Sequence, residues 1–248
     1  MIKRSDIQKI VDNYDGLRIA VLGSHSALEI MDGAKDEGLS TIVFCQKGRE
    51  TPYQRFDRIA DEIKVLKKFG DMSSVKNQKM LRNTNTIIVP HRALTAYLGY
   101  DVIENSLNVP IFGNRALFQA EERNNKKNQY YLLKKAGIKY PKIFKNPKDI
   151  NKPAIVKVQE KKRKLERAFF TVSSFSDYKK KSADKIKQGT IAKTDLQNAT
   201  IEQLAIGTYL NFNYFNTPIS KNVDFIGIER RLKTTIHDYN SLPAKQQL

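Results

Sequence analysis

The sequence predicts an α/β chain in two parts: a Rossmann-like domain over residues 1–115 and an α+β domain over 116–248. Three patterns carry this expectation. The apolar run LRIAVL at 17–22 passes through one tight turn into the helical stretch ALEIMDGAKDEG, the strand–turn–helix opening of a parallel sheet. Two further apolar runs, TIVFC at 41–45 and TIIVP at 86–90, each lead into polar loops, which continues the same order. Beyond residue 116, PAIVK at 153–157, FFTV at 169–172 and ATIEQL at 199–204 are strand-like, and the first two are spaced as a hairpin with a long loop.

Taken in chain order, Ser5 is a cap for a first helix, SDIQKIVDNYDG, ending near Gly16. After LRIAVL, the residues Gly23, Ser24, His25 and Ser26 fall at a helix N-terminus, where backbone N–H groups and the helix dipole favour an anion. A single glycine is a weak motif, and an ordinary strand-to-helix turn with His25 exposed competes with the anion site. In a parallel sheet the carboxyl ends of the strands share one edge, and ligands bind there. His25, Lys47, Arg49 and His91 all follow such ends, a set that suits a phosphorylated small molecule or, as the plainer alternative, solvated loop charges.

PIFGNR at 110–115 closes the first domain, with Asn114 as cap for a helix from Arg115. A helix over 125–136 stops at Gly137, and Pro141 follows. PAIVK then delivers Lys157 at a strand end. The loop from 158 to 168 holds Lys161, Lys162, Arg163, Lys164 and Arg167 but no glycine, whereas a phosphate-wrapping loop needs glycine for its amides to converge. A Lys-rich helix over 174–187 and a strand pair, 208–215 with 223–230, complete the order.

Composition narrows the classes. The formal net charge is +18, yet residues 1–115 carry 17 basic against 14 acidic side chains and residues 116–248 carry 27 against 12. Such asymmetry fits a nucleic-acid surface or a lysine-rich proteome alike. No RNP, zinc-finger or basic-zipper pattern accompanies it, so nucleic acid is not the expected partner. No apolar run approaches the ~20 residues of a membrane span, and MIKRSDIQKI lacks a signal-peptide core, so a cytoplasmic protein is expected. Cys45 is the single cysteine and is expected to be buried and structural. With three histidines there is little from which to build an imidazole metal site, and none is expected; no catalytic residue is assigned.

The segments GSHSALEI, KGRETPYQRF, IIVPHRALTAYLG, VPIFGNR, LLKKAGIKYPK, IVK, IEQLAIGTYLNFNYF and LPAKQQL together resemble the archaeal formate-dependent phosphoribosylaminoimidazole-carboxamide ligases, the FAICAR synthetases of the ATP-grasp superfamily. The resemblance runs along essentially the whole chain. It implies a pre-ATP-grasp domain followed by an incomplete ATP-grasp domain. It implies purine (IMP) biosynthesis, in which ATP, Mg²⁺ and formate convert an aminoimidazole-carboxamide ribotide to its formamido product through formyl phosphate. By the same resemblance Gly23, Ser24, His25, Ser26, Arg49 and His91 bind the ribotide, and Lys157 meets the ATP phosphates. Glu202, Gln203, Leu204 and Ala205 form a hinge whose backbone reads the adenine edge.

Homo-oligomers are a further family expectation. Relatives extend beyond the LPAKQQL-like segment and carry their Mg²⁺ ligands there, so the resemblance implies a C-terminally truncated member without those ligands. Departures from the family pattern are Gln203 and Leu204 in the hinge, Arg92-Ala93 after the second histidine, the glycine-free loop, and Lys233 in place of a carboxylate. They leave open a non-catalytic ribotide-binding paralogue and, more remotely, a basic nucleic-acid-binding protein.

Overall fold

The structure is a computed structural model that describes residues 1–122, 125–158, 169–216 and 222–230. It divides into two compact units, Met1–Gln119 and Ala120–Leu248.

Unit 1 begins with helix α1 (Arg4–Val11), capped by the extended residue Lys3 without a side-chain bond. Ser5 therefore lies inside the helix rather than at its start, because the Ile2 N–H donates to the Glu104 carbonyl at 2.7 Å and sets where the chain enters. The helix also stops short of Gly16, which turns the chain at φ +79. Strand β1 (Arg18–Leu22), helix α2 (Ala27–Asp36), strand β2 (Ser40–Gln46), helix α3 (Thr51–Arg55) and strand β3 (Glu62–Leu66) follow. Helix α4 (Val75–Asn83), strand β4 (Thr86–Ile88) and helix α5 (Arg92–Leu98) complete the α/β pattern.

All pairings in this sheet are parallel, in the order β3-β2-β1-β4. The chain thus builds outward from β1 through β2 and β3, then crosses to β1's other side as β4. Between β1 and β4 the direction of winding reverses, and in open α/β sheets that reversal is where a crevice opens beyond the strand ends. Ile111 adds an isolated parallel bridge to Ile88.

Period-two side chains divide the core between two faces. Ala20, Leu22, Ile42 and Phe44 pack with Leu81 and Leu94 on one face, while Ile19, Val21, Val43 and Cys45 pack with Met31 and Tyr53 on the other. Asn114 caps the helix that follows, its Oδ1 accepting from the Ala116 N–H at 3.0 Å, and that helix is 3-10 over Arg115–Glu121. Arg115 itself turns inward. Its Nη1 donates to the Ile103 and Leu107 carbonyls at 2.8 and 2.9 Å, and its Nη2 donates to Val109 at 2.8 Å.

Unit 2 starts with helix α6 (Gln129–Lys135), whose cap Asn128 accepts from the Tyr131 N–H. Gly137 ends it at φ +69. Strands β5 (Ile143–Phe144), β6 (Ala154–Lys157) and β7 (Phe170–Val172), helices α7 (Phe175–Lys187) and α8 (Lys193–Gln197), and strand β8 (Thr200–Gln203) form an antiparallel sheet in the order β5-β8-β6-β7 with its helices. Ala154, Val156 and Val158 face a core of Phe144, Ile150, Phe170, Val172, Ile191 and Ile201.

Strands β9 (Leu210–Asn216) and β10 (Val223–Arg230) form a separate antiparallel ribbon. Its register places Phe212 opposite Ile228 and Tyr214 opposite Phe225, an apolar face that stays exposed.

The three carbonyls held by Arg115 give a direct test. Arg115→Met removes a donor from each of them, Leu107 O keeping the Val109 N–H at 2.9 Å, and is expected to lower the stability of unit 1 by about 2–3 kcal/mol, read as a lower urea midpoint with unchanged slope.

Candidate functional site

In unit 1 the turn after β1 lies at the winding reversal. The Gly23 N–H donates to Phe44 O at 2.7 Å, drawing the backbone against the end of β2. A Cβ at this position would stand 2.8 Å from Cys45 Sγ and 3.1 Å from both Phe44 O and Tyr53 Cε2, so only glycine fits. His25 then takes φ +49, a left-handed conformation that a branched side chain adopts at a cost of about 1–2 kcal/mol. This kink hands the chain to Ser26, the cap of α2.

Not all four amides expected at the anion site are on offer. Gly23 has spent its N–H on Phe44 and Ser24 has spent its own on Leu22 O at 2.7 Å. The N–H groups of His25 and Ser26 have no hydrogen-bond partner among the described residues, and the opening turn of α2 adds the orphan donors common to helix starts. The amides left open at this turn are therefore those of His25 and Ser26, one step later than the glycine suggested. The Ser26 hydroxyl lies 2.6 Å from His25 Nδ1.

His91 reaches the same place from the end of β4. Its ring stacks on His25, with centroids 6.0 Å apart and an interplanar angle of 19°. Both of its nitrogens are occupied: Nδ1 accepts from the Ala93 N–H at 3.2 Å, capping α5, and Nε2 meets Leu22 O at 2.8 Å. These partners fix the neutral tautomer with its proton on Nε2, so His91 offers a ligand a ring face and no free nitrogen. Burial, the largest influence, holds its pKa below the ordinary 6.5, against the Leu22 carbonyl, which favours the cation.

Arg49 is exposed and tied to α5, donating to the Tyr97 hydroxyl at 3.2 Å and lying over Phe69 at 5.7 Å. Lys47 is exposed as well, its backbone N–H bonded to Leu66 O. Beneath the turn, burial pushes the Cys45 thiol up to about 12, with Glu50 adding to it, so the buried thiol is unreactive.

Unit 2 assembles a second group. Across β6 and β8, Ile155 faces Glu202 and Lys157 faces Thr200, so Lys157 and Glu202 are diagonal neighbours on the face turned away from Val156 and Ile201. The Lys157 ammonium pairs with Glu202 Oε1, and the Tyr130 hydroxyl on α6 donates to Oε2 at 2.5 Å. The Glu202 carboxylate is buried. Further along the chain the Gln203 N–H donates to Lys142 O and the Leu204 N–H to Pro153 O, both at 2.8 Å. Only Ala205, which is exposed, keeps an N–H with no partner among the described residues.

Tyr130 is the residue that sequence reasoning missed, because its partner Glu202 lies 72 residues away along the chain. The basic loop residues Lys161, Lys162, Arg163, Lys164 and Arg167, together with Lys233, lie outside the described residues. Among the described residues no group of three or more His, Cys, Asp or Glu side chains could hold a metal ion. None of the described helices is long and apolar enough to cross a membrane.

A parallel sheet with a glycine turn at its winding reversal, followed in sequence by an antiparallel sheet in which Lys157 pairs with a buried Glu202 carboxylate, makes a mixed α/β architecture. Solved structures share the fold. An IMP biosynthesis protein PurP from Thermococcus kodakaraensis matches with TM-score 0.60 at 22% identity, covering 93% of this chain and 63% of that one. The N5-carboxyaminoimidazole ribonucleotide synthetase of Thermotoga maritima matches with TM-score 0.59 at 15% identity, covering 87% and 53%. Two family models match, "Protein of unknown function (DUF1246)" over 19–144 and "Domain of unknown function (DUF1297)" over 177–248.

Sequence relatives are more specific. The 5-formaminoimidazole-4-carboxamide-1-(beta)-D-ribofuranosyl 5'-monophosphate synthetase of Methanopyrus kandleri is 41% identical over 250 residues, covering 100% of this chain and 68% of the relative. That of Methanocaldococcus jannaschii is 38% identical with the same coverage. The chain belongs to this synthetase family, and it spans about two thirds of the length of these curated relatives.

Two outcomes test the first site. Gly23→Ala is expected to destabilise unit 1 by about 1–3 kcal/mol; adding Cys45→Ala removes the 2.8 Å contact and restores part of the loss, as chemical denaturation will measure. His91 titrates lower in the folded chain than unfolded, so the unfolded state takes up the proton first. Its contribution is complete above pH 6.5 and falls away as pH drops through the lower folded value. Thermal melts of His91→Gln are expected to depend less on pH than wild type in that window.

Proposed function

We propose that the chain serves in purine (IMP) biosynthesis as an ATP- and formate-dependent ligase that formylates the 5-amino group of 5-aminoimidazole-4-carboxamide ribotide. The observation that carries this reading is the pair of open amides at the His25-Ser26 turn, at the start of α2 and the winding reversal of unit 1, and membership of the synthetase family supports it. The ribotide phosphate sits on those amides, and the stacked His25 and His91 rings provide a flat wall for its planar base. Arg49 contributes positive charge from the β2–α3 loop.

The nucleotide belongs to unit 2. Lys157 offers its remaining N–H donors to the phosphate oxygens, and the exposed Ala205 N–H is the hinge amide left for the adenine edge. In the proposed reaction a formate oxygen attacks the γ-phosphorus of ATP and ADP leaves. The ribotide amine then attacks the formyl carbon, the carbon–oxygen bond to phosphate breaks, and the nitrogen gives up a proton. When bound, Mg²⁺ supplies charge compensation for the phosphoryl transfer. The described residues offer no cluster that fits it, so no step is assigned to a metal here.

Calorimetric titration of the purified chain with the ribotide and, separately, ATP·Mg tests the reading. Both are expected to bind, with ADP released when ribotide, ATP and formate are combined. Ribotide binding without ATP binding would assign the chain to the non-catalytic alternative. Failure of both to bind would remove the reading altogether.

A further inference from the structure

We infer that Tyr130 is a positioning residue for nucleotide phosphates, acting through the Glu202 carboxylate on the Lys157 ammonium. The inference rests on the reading that Lys157 faces the nucleotide. Glu202 sits in the inner strand β8 with its side chain 8% exposed, and a buried carboxylate is tolerated only where both oxygens are satisfied. Here they are divided: Oε1 takes Lys157 and Oε2 takes the Tyr130 hydroxyl. The carboxylate therefore cannot rotate without giving up one partner.

The lysine side chain, by contrast, is a flexible stem ending in a compact charge, and nothing in its own strand fixes the position of that charge. Tyr130 supplies the fixed point. Its ring lies against Tyr140, centroids 5.8 Å apart, and its helix is capped by Asn128, so the hydroxyl is held from two sides. The contacts run in sequence from the phenol on α6 to the carboxylate and from the carboxylate to the ammonium. Lys157 is only 20% exposed, which limits the screening of its charge and makes its placement matter to an incoming phosphate.

A residue that shapes the adenine pocket would affect every adenine ligand equally; one that acts through Lys157 affects only those carrying phosphate. Calorimetric titration of the full chain with ATP·Mg and with adenosine separates the two. Tyr130→Phe is expected to raise the Kd for ATP about tenfold and to leave that for adenosine within about twofold. In a Lys157→Met background the same change is expected to have no further effect, the non-additivity of residues acting through one group. Tyr130→Gln, whose amide also donates, is expected to recover part of the ATP affinity, and thermal melts confirm that each variant is folded at the titration temperature.

Equal loss of ATP and adenosine affinity, or an additive effect beside Lys157→Met, would overturn the inference while leaving the nucleotide site intact. A wild-type chain that binds ribotide but no ATP would overturn the nucleotide-site reading and the inference with it.

Discussion

The missing side chain at position 23 is the constraint on which unit 1 turns. Parallel pairing of Leu22 with Phe44 carries the chain directly over Cys45, and the contact distances leave no room for even a methyl group. Because Gly23 can press onto β2, Ser24 bonds back to Leu22, His25 enters its left-handed conformation, and the chain reaches α2 with the His25 and Ser26 amides open. The Leu22 carbonyl at this same strand end is also what His91 holds. One close approach therefore sets the backbone turn, the helix start and the stacking of the two imidazoles.

The two units hold their polar groups by different means. Unit 1 presents main-chain donors whose positions are set by the sheet, and such donors need little reorganisation. Unit 2 pairs side chains, a partly exposed lysine and a buried carboxylate, whose positions must be imposed by neighbours. The large positive charge of the second half is partly absorbed locally. Lys181 bonds to Thr171 O and pairs with Asp177, while Lys179 and Lys185 lie over Phe175 and Phe170 at 4.9 and 5.6 Å. Their stems cover apolar surface while their charges reach water, which is how helix α7 can be both lysine-rich and packed.

Much of this was legible from local pattern. LRIAVL and TIVFC are apolar because both faces of their strands are covered, and such runs announce themselves. Gly137 ends its helix and Ser174 opens the lysine-rich one as their chemistry suggests, whereas α6 starts at Gln129 rather than 125 because Asn128 caps it. Strand β3 escaped notice because an edge strand alternates charged and apolar residues, and EIKVL reads as loop. Two-residue β5 is too short to carry any period. At the sites, Gly23 and His25 were visible as a turn, but the shift of free amides to His25-Ser26 depends on where β2 ends. The partnership of Lys157 with Glu202 depends on cross-strand register, which no local window contains, and Tyr130 is a further step removed.

Cys45 lies under the Gly23 turn as the only thiol in the chain, fully buried and with its pKa pushed up to about 12. Its sulfur can meet a reagent only when the turn lifts away from β2 or unit 1 opens more widely. The chain therefore carries its own clock: the rate at which a thiol-directed probe labels it measures how often the Gly23 turn leaves its seat, and anything that holds that turn closed should slow the clock.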